Sequence, residues 1–361
     1  MKKILLILVG GTICTAINEK GNLAVDEKAG ALLKVNYENS ESPFAKEAEI
    51  TLSENLYILS ENMTVGKWNQ MLTTYRNEAK KDNYDGIIFA HGTDTLAYSS
   101  ALFSVLLSDT KVPVFFVSAN ECLDSKKTNG NVNFRYAVES ICRGITPNVY
   151  VTYRNTSDGR MYLHLASHLR QCENYSEDFH SVDATDITEW TEQTNEEYLA
   201  LLEQKYPAGK RKKFVDIFGD WQLKECVLML EPYVGINYTA YDYSKFSAVL
   251  HGTFHSGTAC AEKDERNANY GPNSILSMLD CCFNATPPVD VYLSPSVLTT
   301  GTYETVSIIG EHQVNGKSIQ FLYGYTKEMA YAKLLLAYSL LETPEERSAF
   351  IQTEYNFERI D

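Results

Sequence analysis

Two short apolar runs that stop abruptly at glycine and threonine constrain this chain more than any other feature. The first, Ile4 to Val9, ends in Gly10-Gly11-Thr12, and the second, Ile87 to Ala90, ends in His91-Gly92-Thr93-Asp94-Thr95. Short apolar runs closed by turn residues read as strands covered on both faces, the pattern of a parallel sheet. Val112 to Val117 and Val149 to Tyr153 repeat it. Between the runs lie segments with helical spacing: Trp68, Met71, Leu72 and Tyr75, then Leu102, Val105 and Leu106. Strands alternating with helices predict an α/β fold built on a parallel sheet.

A chain of 361 residues is long for one core, so two domains are expected. The stretch from about Thr185 to Leu223 is rich in Glu, Lys, Gln and Asn and has few strand-like runs. It predicts a larger N-terminal α/β domain over 1–205, a linker over 206–224 and a smaller α/β domain over 225–361. The runs Cys226 to Leu230, Ala248 to Leu250 and Val289 to Leu293 begin the smaller domain. A closing helix follows, with Thr326 as its N-cap and Met329, Leu334, Leu335 and Tyr338 on its apolar side.

With 47 acidic against 32 basic residues the formal charge is -15, which disfavours phosphate backbones and anionic membranes as partners. The basic clusters, Lys126-Lys127 and Lys210 to Lys213, are short and lack interleaved aromatics. Eight scattered cysteines form no C-x-x-C pair, so reduced thiols in the cytoplasm are expected. The N-terminal apolar run imitates a secretory signal but is only six residues long before the glycine pair, and it reads as a buried first strand. No segment approaches the roughly eighteen apolar residues of a membrane span.

A glycine pair at a strand's end lets backbone amides approach a ligand closely. Gly10-Gly11-Thr12 is neither a G-x-G-x-x-G fingerprint nor followed by G-K-[ST], which leaves dinucleotide and ATP binding weakly supported. On its own it reads as a tight strand-to-helix turn. Two hydroxyls and a carboxylate in Thr93-Asp94-Thr95 suit acyl transfer, one hydroxyl attacking while another group relays a proton and N–H groups steady the oxyanion. The competing reading makes Asp94 or Thr95 the cap of a helix over Leu96 to Leu107.

Taken together, Gly10-Gly11-Thr12-Ile13, Ser60-Glu61-Asn62-Met63 and His91-Gly92-Thr93-Asp94-Thr95 resemble the bacterial-type L-asparaginase family in order, spacing and context. The resemblance continues through Pro113 to Ala119, Asn129-Gly130-Asn131-Val132-Asn133 and the Ala330 to Leu341 helix, covering nearly the whole chain. It implies a larger doubly wound domain followed by a smaller α/β domain, paired subunits in a homodimer or homotetramer, and a small amino-acid amide as substrate, with no cofactor and no metal. Thr12 would be the nucleophile that forms an acyl ester and releases ammonia. Thr93 would activate water, and Asp94 would grip the substrate amine or support the proton relay. Ser60 and Glu61 would hold the amino-acid head group, Gly11 and Gly92 would let the backbone close on the ligand, and Ala119 would be a further substrate-binding position.

Three positions depart from that family. Its loop tyrosine has no counterpart between Cys14 and Val35, where Asn22 matches best; its activating lysine has none between Asp158 and Phe179; and its Ser-Asp-Gly string is Thr128-Asn129-Gly130. Arg170 and His168 are the candidates for the lysine's place. Arginine supplies charge but no base near neutral pH, whereas histidine supplies both. His164 and His168 stand four apart, but Met161 to Leu165 reads as a strand and no matching carboxylate or cysteine accompanies them, which argues against a metal. His251-Gly252-Thr253 echoes the first histidine motif, as a surface turn or as a part of a neighbouring subunit's site. The expected function is hydrolysis of L-asparagine or a close relative, with glutamine and β-aspartyl amides open. The alternative is a protein that binds or senses a small amino acid without hydrolysing it.

Overall fold

The computed structural model describes residues 1–17, 23–262, 270–296 and 303–360, and the chain divides into two compact units. The first comprises Met1–Trp221 with Tyr355–Phe357, and the second Gln222–Glu354 with Glu358–Asp361. Asn22, the position matched to the family's loop tyrosine, lies outside the described residues.

In the first unit the apolar N-terminal run forms β1 (Lys2–Leu8), whose residues Ile4 to Ile7 are fully buried. An antiparallel ribbon, β2 (Thr15–Ile17) and β3 (Leu23–Val25), follows it. Then come β4 (Ala48–Leu52), β5 (Gly86–Ala90), β6 (Val114–Val117), β7 (Val149–Arg154), β8 (Met161–Leu165) and β9 (Thr185–Asp186). The large sheet runs β4-β1-β5-β6-β7-β8-β9, parallel from β4 to β7 and antiparallel beyond. From β1 the chain moves outward to β4 and then crosses to β5 on the opposite side. The carboxyl ends of β1 and β5 therefore flank a topological switch point, where open α/β sheets leave a crevice.

Helices α1 (Glu27–Glu38), α2 (Val65–Glu78), α3 (Leu96–Leu106), α4 (Gly130–Cys142) and α5 (Asn195–Lys205) complete this unit. Phe134, Ala137, Val138 and Ile141 of α4 join Ile4, Leu6, Ile88 and Phe115 in one core. Strand neighbours point alternately to the two faces, so Phe89 and Phe116 emerge on the other side. There they stack at 4.7 Å between ring centres and meet Phe103 of α3. Trp68, Met71, Leu72 and Tyr75 are all buried, as the helical spacing of α2 requires.

The residues expected as a linker over 206–224 behave differently. As far as Trp221 they count with the first unit, where Arg211 donates to the Ser108 carbonyl at 3.1 Å and Arg76 to the carbonyls of Ile217 and Trp221 at 2.6 and 3.1 Å. Polar composition suggests a free connection; arginine heads bonded to backbone carbonyls convert it into packed structure.

The second unit holds a wholly parallel sheet of β10 (Val227–Leu230), β11 (Ala248–His251), β12 (Asp290–Ser296) and β13 (Gln320–Tyr323), in chain order. Around it lie α6 (Ile275–Asn284), α7 (Glu304–Glu311), α8 (Lys327–Leu340) and α9 (Pro344–Gln352). Thr326 caps α8 as its sequence predicts, accepting from the Met329 N–H at 3.1 Å. The smaller parallel sheet after a larger one makes the chain α/β throughout. No described helix is long and apolar enough to cross a membrane.

Three fully buried histidines give the fold a pH dependence. Burial pushes the His91 and His251 imidazoles down to about 4 and that of His164 down to about 3. In the unfolded chain they titrate near 6.5, so below that value the unfolded state binds more protons than the folded one. Stability is therefore present at neutral pH and lost as pH falls from about 6.5 toward 4, by up to about 1.4 kcal/mol per pH unit for each histidine. Denaturant unfolding measured across that window should show the decline, and a flat profile would contradict burial of neutral rings.

Candidate active site

Three sequence-distant segments converge at the carboxyl ends of β1 and β5. Gly10 and Gly11 have φ of 135° and 77°, conformations that side-chain-bearing residues avoid. A Cβ on Gly10 would strike the Ile58 carbonyl, and one on Gly11 would strike the Cα and N of Gly92. A Cβ on Gly92 would run into the Ser60 side chain and lie 3.0 Å from Gly11 Cα. The two glycine motifs thus pack backbone on backbone, with Ser60 as the third wall. Thr12 and Thr93, each one residue beyond a touching glycine, are carried to the same crevice, and both are half-buried.

Ser60 opens a 3-10 turn, Ser60–Asn62, and couples two motifs. Its Oγ donates to Asp94 Oδ2 at 3.2 Å and accepts from the Asp94 N–H at 3.2 Å, while its carbonyl accepts from Thr95 Oγ1 at 3.1 Å. Thr95 is the N-cap residue of α3 but makes no side-chain cap. The capping reading of this motif therefore fails: Thr95 gives its hydroxyl to Ser60. Asp94 and Glu61 are exposed, so their carboxylates are open to a ligand. His91 stays below the site, its Nδ1 bonded to the Gly92 carbonyl at 2.7 Å.

Substituting Gly92 tests this packing. Gly92→Ala should cost about 1–3 kcal/mol through overpacking, because the clash falls on Ser60 and a backbone segment with no direction to yield. Chemical denaturation alone decides it, and an unchanged midpoint would mean that the two motifs do not touch.

The residues proposed for the lysine's place separate clearly. His168 ends a 3-10 turn, Ala166–His168, and is buried. Its Nδ1 bonds Asp183 Oδ1 at 2.9 Å and its Nε2 bonds the Phe357 carbonyl. Burial pushes the Asp183 carboxyl up, but hydrogen bonds from His168 and from Tyr206, the latter at 2.5 Å, outweigh it and hold the group down at about 2. With both ring nitrogens engaged elsewhere, the expectation that His168 serves Thr93 is corrected. Arg170 is exposed and lies in a backbone bridge with His180.

The group that reaches Thr93 is Gln171. Its Nε2 donates to the Thr93 carbonyl at 2.7 Å, and its Oε1 accepts from the Ala97 N–H at 3.2 Å. An amide is neither acid nor base, so residue type alone gives no reason to choose it. The one available signal was its place beside Arg170.

Two further positions are buried. Asn129 is buried, with its Oδ1 accepting from the Asn120 N–H at 2.9 Å and its Nδ2 donating to the Arg154 carbonyl at 2.8 Å. A carboxylate lacks the second bond's donor, which accounts for asparagine here and assigns it to scaffolding rather than ligand recognition. Ala119 is fully buried beneath Gly130, leaving only its backbone for a ligand.

His164 lies on β8 with its Nδ1 at 2.8 Å from Ser181 Oγ. Among the described residues no three His, Cys, Asp or Glu side chains group as metal ligands. His251 is no surface residue. It is fully buried, with Nδ1 on the Gly252 carbonyl as in His91 and Nε2 at 2.8 Å from the Tyr238 hydroxyl.

Residues 3–200, more than half of the chain, match the family model described as asparaginase, N-terminal. Among curated relatives, a glutamyl-tRNA(Gln) amidotransferase subunit of Methanococcus maripaludis is 26% identical over 240 residues, 66% of this chain and 55% of the relative. The same amidotransferase subunit of Archaeoglobus fulgidus is 31% identical over 184 residues, 50% of this chain and 42% of the relative. The chain spans about half the length of these relatives, or less. Two solved structures share the fold. The thermostable L-asparaginase of Thermococcus kodakarensis has a TM-score of 0.70 at 19% identity, and L-asparaginase I of Vibrio cholerae 0.65 at 18%, each pairing covering 99% of both chains. With the family model matched across both glycine-threonine motifs and the fold shared from end to end, this chain belongs to the asparaginase family.

Proposed function

We propose that the protein is an amidohydrolase that cleaves the side-chain amide of L-asparagine or a close relative, through an ester on Thr12. The observation that carries this reading is the contact of Gly11 with Gly92, which sets Thr12 and Thr93 on two touching turns beside Ser60 and Asp94. Thr12 Oγ attacks the amide carbon, and backbone N–H groups freed by the glycine turns stabilise the oxyanion. Collapse breaks the C–N bond and ammonia leaves with the proton taken from Thr12. Water, oriented by Thr93 and deprotonated through the Thr93-Asp94 pair, then hydrolyses the ester and restores Thr12. The exposed carboxylates of Glu61 and Asp94 suit the cationic amine of an amino acid. A cytoplasmic homo-oligomer acting without cofactor is part of this proposal.

The test is ammonia release from purified protein with L-asparagine, D-asparagine and L-glutamine. The relatives' name, an amidotransferase subunit, is a reason to include glutamine. Release from one of these supports the reading, and silence toward all three removes it.

A second reading has its own observation. The stretch from Asp158 to Phe179 holds no lysine, His168 is committed to Asp183 and Phe357, and arginine is no base. A site with this cradle and no such base would hold aspartate or asparagine without turnover. Calorimetric binding with no ammonia released would favour it.

A further inference from the structure

We infer that Gln171 is a positioning residue for the proposed hydrolysis: its side-chain amide clamps Thr93 to the first turn of α3 and so fixes the direction of the Thr93 hydroxyl. The inference rests on the amidohydrolase reading above for its catalytic half only. Its structural half stands on the contacts themselves.

The first turn of a helix leaves N–H groups without partners, and a side chain at the N-cap ordinarily satisfies one. Here the N-cap residue, Thr95, turns its hydroxyl to the Ser60 carbonyl instead. The Ala97 N–H is taken by Gln171 Oε1 at 3.2 Å, and the same amide's Nε2 meets the Thr93 carbonyl at 2.7 Å. One planar group thus bridges the residue before Asp94 to the helix after it. The amide's orientation is fixed by its partners, because a carbonyl requires the NH2 side and an N–H requires the oxygen. No other side-chain type of that length offers both at once without changing charge.

Such a clamp works only if its own support is rigid, and the preceding residues are held from behind. Leu169 is fully buried, and the Arg170 N–H donates to the His180 carbonyl at 3.0 Å. Ser167 Oγ donates to the carbonyls of Asn356 and Phe357 at 3.1 and 3.2 Å, and His168 joins Phe357 to Asp183. Asn356 is itself fully buried, its Nδ2 donating to the Ser104 carbonyl at 3.0 Å and to Asn148 Oδ1 at 2.7 Å. Asn356 and Phe357 therefore brace the segment that carries Gln171. This gives His168 its place in the molecule: it steadies the support of the clamp rather than serving Thr93.

The clamp acts on turnover more than on binding. It grips the Thr93 backbone, whereas the amidohydrolase reading gives the substrate's head group to Ser60, Glu61 and Asp94. Misplacing a reacting group by about 1 Å costs on the order of a hundredfold in rate.

Two variants test it. Gln171→Met keeps length and removes both bonds, together with the Nε2 contact to Cys172 Sγ at 3.3 Å. Gln171→Glu keeps an acceptor for Ala97 but faces the Thr93 carbonyl with a carboxylate, and regains a donor only when protonated. The clamp predicts that Gln171→Met lowers kcat by about 10- to 100-fold with KM changed by less than roughly threefold, and that its crystal structure shows the Thr93 carbonyl displaced. It also predicts that the activity of Gln171→Glu, as a ratio to the parent at each pH, rises as pH falls through the carboxyl range.

A merely structural role would give a ratio independent of pH. That result, a loss confined to KM, or an unmoved Thr93 in the methionine variant would overturn the inference. If the parent protein releases no ammonia from any amide, the amidohydrolase reading fails separately. The clamp is then decided by whether Thr93 moves in the methionine variant.

Discussion

Thr12→Ala should abolish ammonia release, lowering kcat by at least about a thousandfold, while leaving the fold and aspartate binding intact. Removing a nucleophile eliminates the covalent route, and other groups of a site do not replace it additively. The substitution is structurally mild. Thr12 is half-buried, and the turn depends on its carbonyl, which accepts from Thr15 Oγ1 at 2.9 Å, rather than on its hydroxyl. An alanine keeps that carbonyl. Equal thermal stability with lost turnover would assign the chemistry to the hydroxyl, and intact turnover would transfer the nucleophile's role elsewhere, with Thr93 the first residue to examine. Thr93→Ala beside it completes the comparison.

Lys333→Met should destabilise the second unit by about 3–5 kcal/mol. Lys333 and Glu358 have side chains only 1% and 0% exposed and lie 3.4 Å apart. The ammonium also donates to the Thr353 carbonyl at 2.6 Å and lies 5.3 and 5.1 Å from the ring centres of Tyr325 and Phe350. Burial pulls the lysine's pKa down, against the pull of Glu358 in the other direction. Removing the lysine takes away the cation paired with a fully buried carboxylate, and that loss of charge compensation is the main cost. Lys333→Met combined with Glu358→Leu should recover most of the loss, since a buried pair replaced by apolar groups is often neutral. Denaturant unfolding of the two single variants and the double distinguishes the cases. A double variant as unstable as the sum of the singles would mean that packing, not charge, dominates.

The strands and the motifs at their ends are legible in the order of residues alone. Ile4 to Val9 and Ile87 to Ala90 are apolar without alternation, and a strand covered on both faces buries such a run with every backbone group paired. Gly10 and Gly11 at the first strand's end were informative because φ of 135° and 77° excludes other residues. The spacing of Trp68, Met71, Leu72 and Tyr75 and the cap at Thr326 are likewise local properties, governed by residues within a turn or two of each other.

How those motifs are used depends on contacts between residues far apart in the chain. Thr95 bonds Ser60 instead of capping α3, Asn129 pins Asn120 to Arg154, and His168 faces Asp183 and Phe357. The same holds for Gln171, whose partners Thr93 and Ala97 are 78 and 74 residues away. A side chain's chemistry can be read from its type, but its partner depends on where the sheet order brings the strand ends. The crossing from β4 over β1 to β5 sets that order. The resemblance of two local motifs to a family therefore pointed to the two threonines, while the long-range register of the sheet chose an amide, rather than a histidine, to stand behind the second of them.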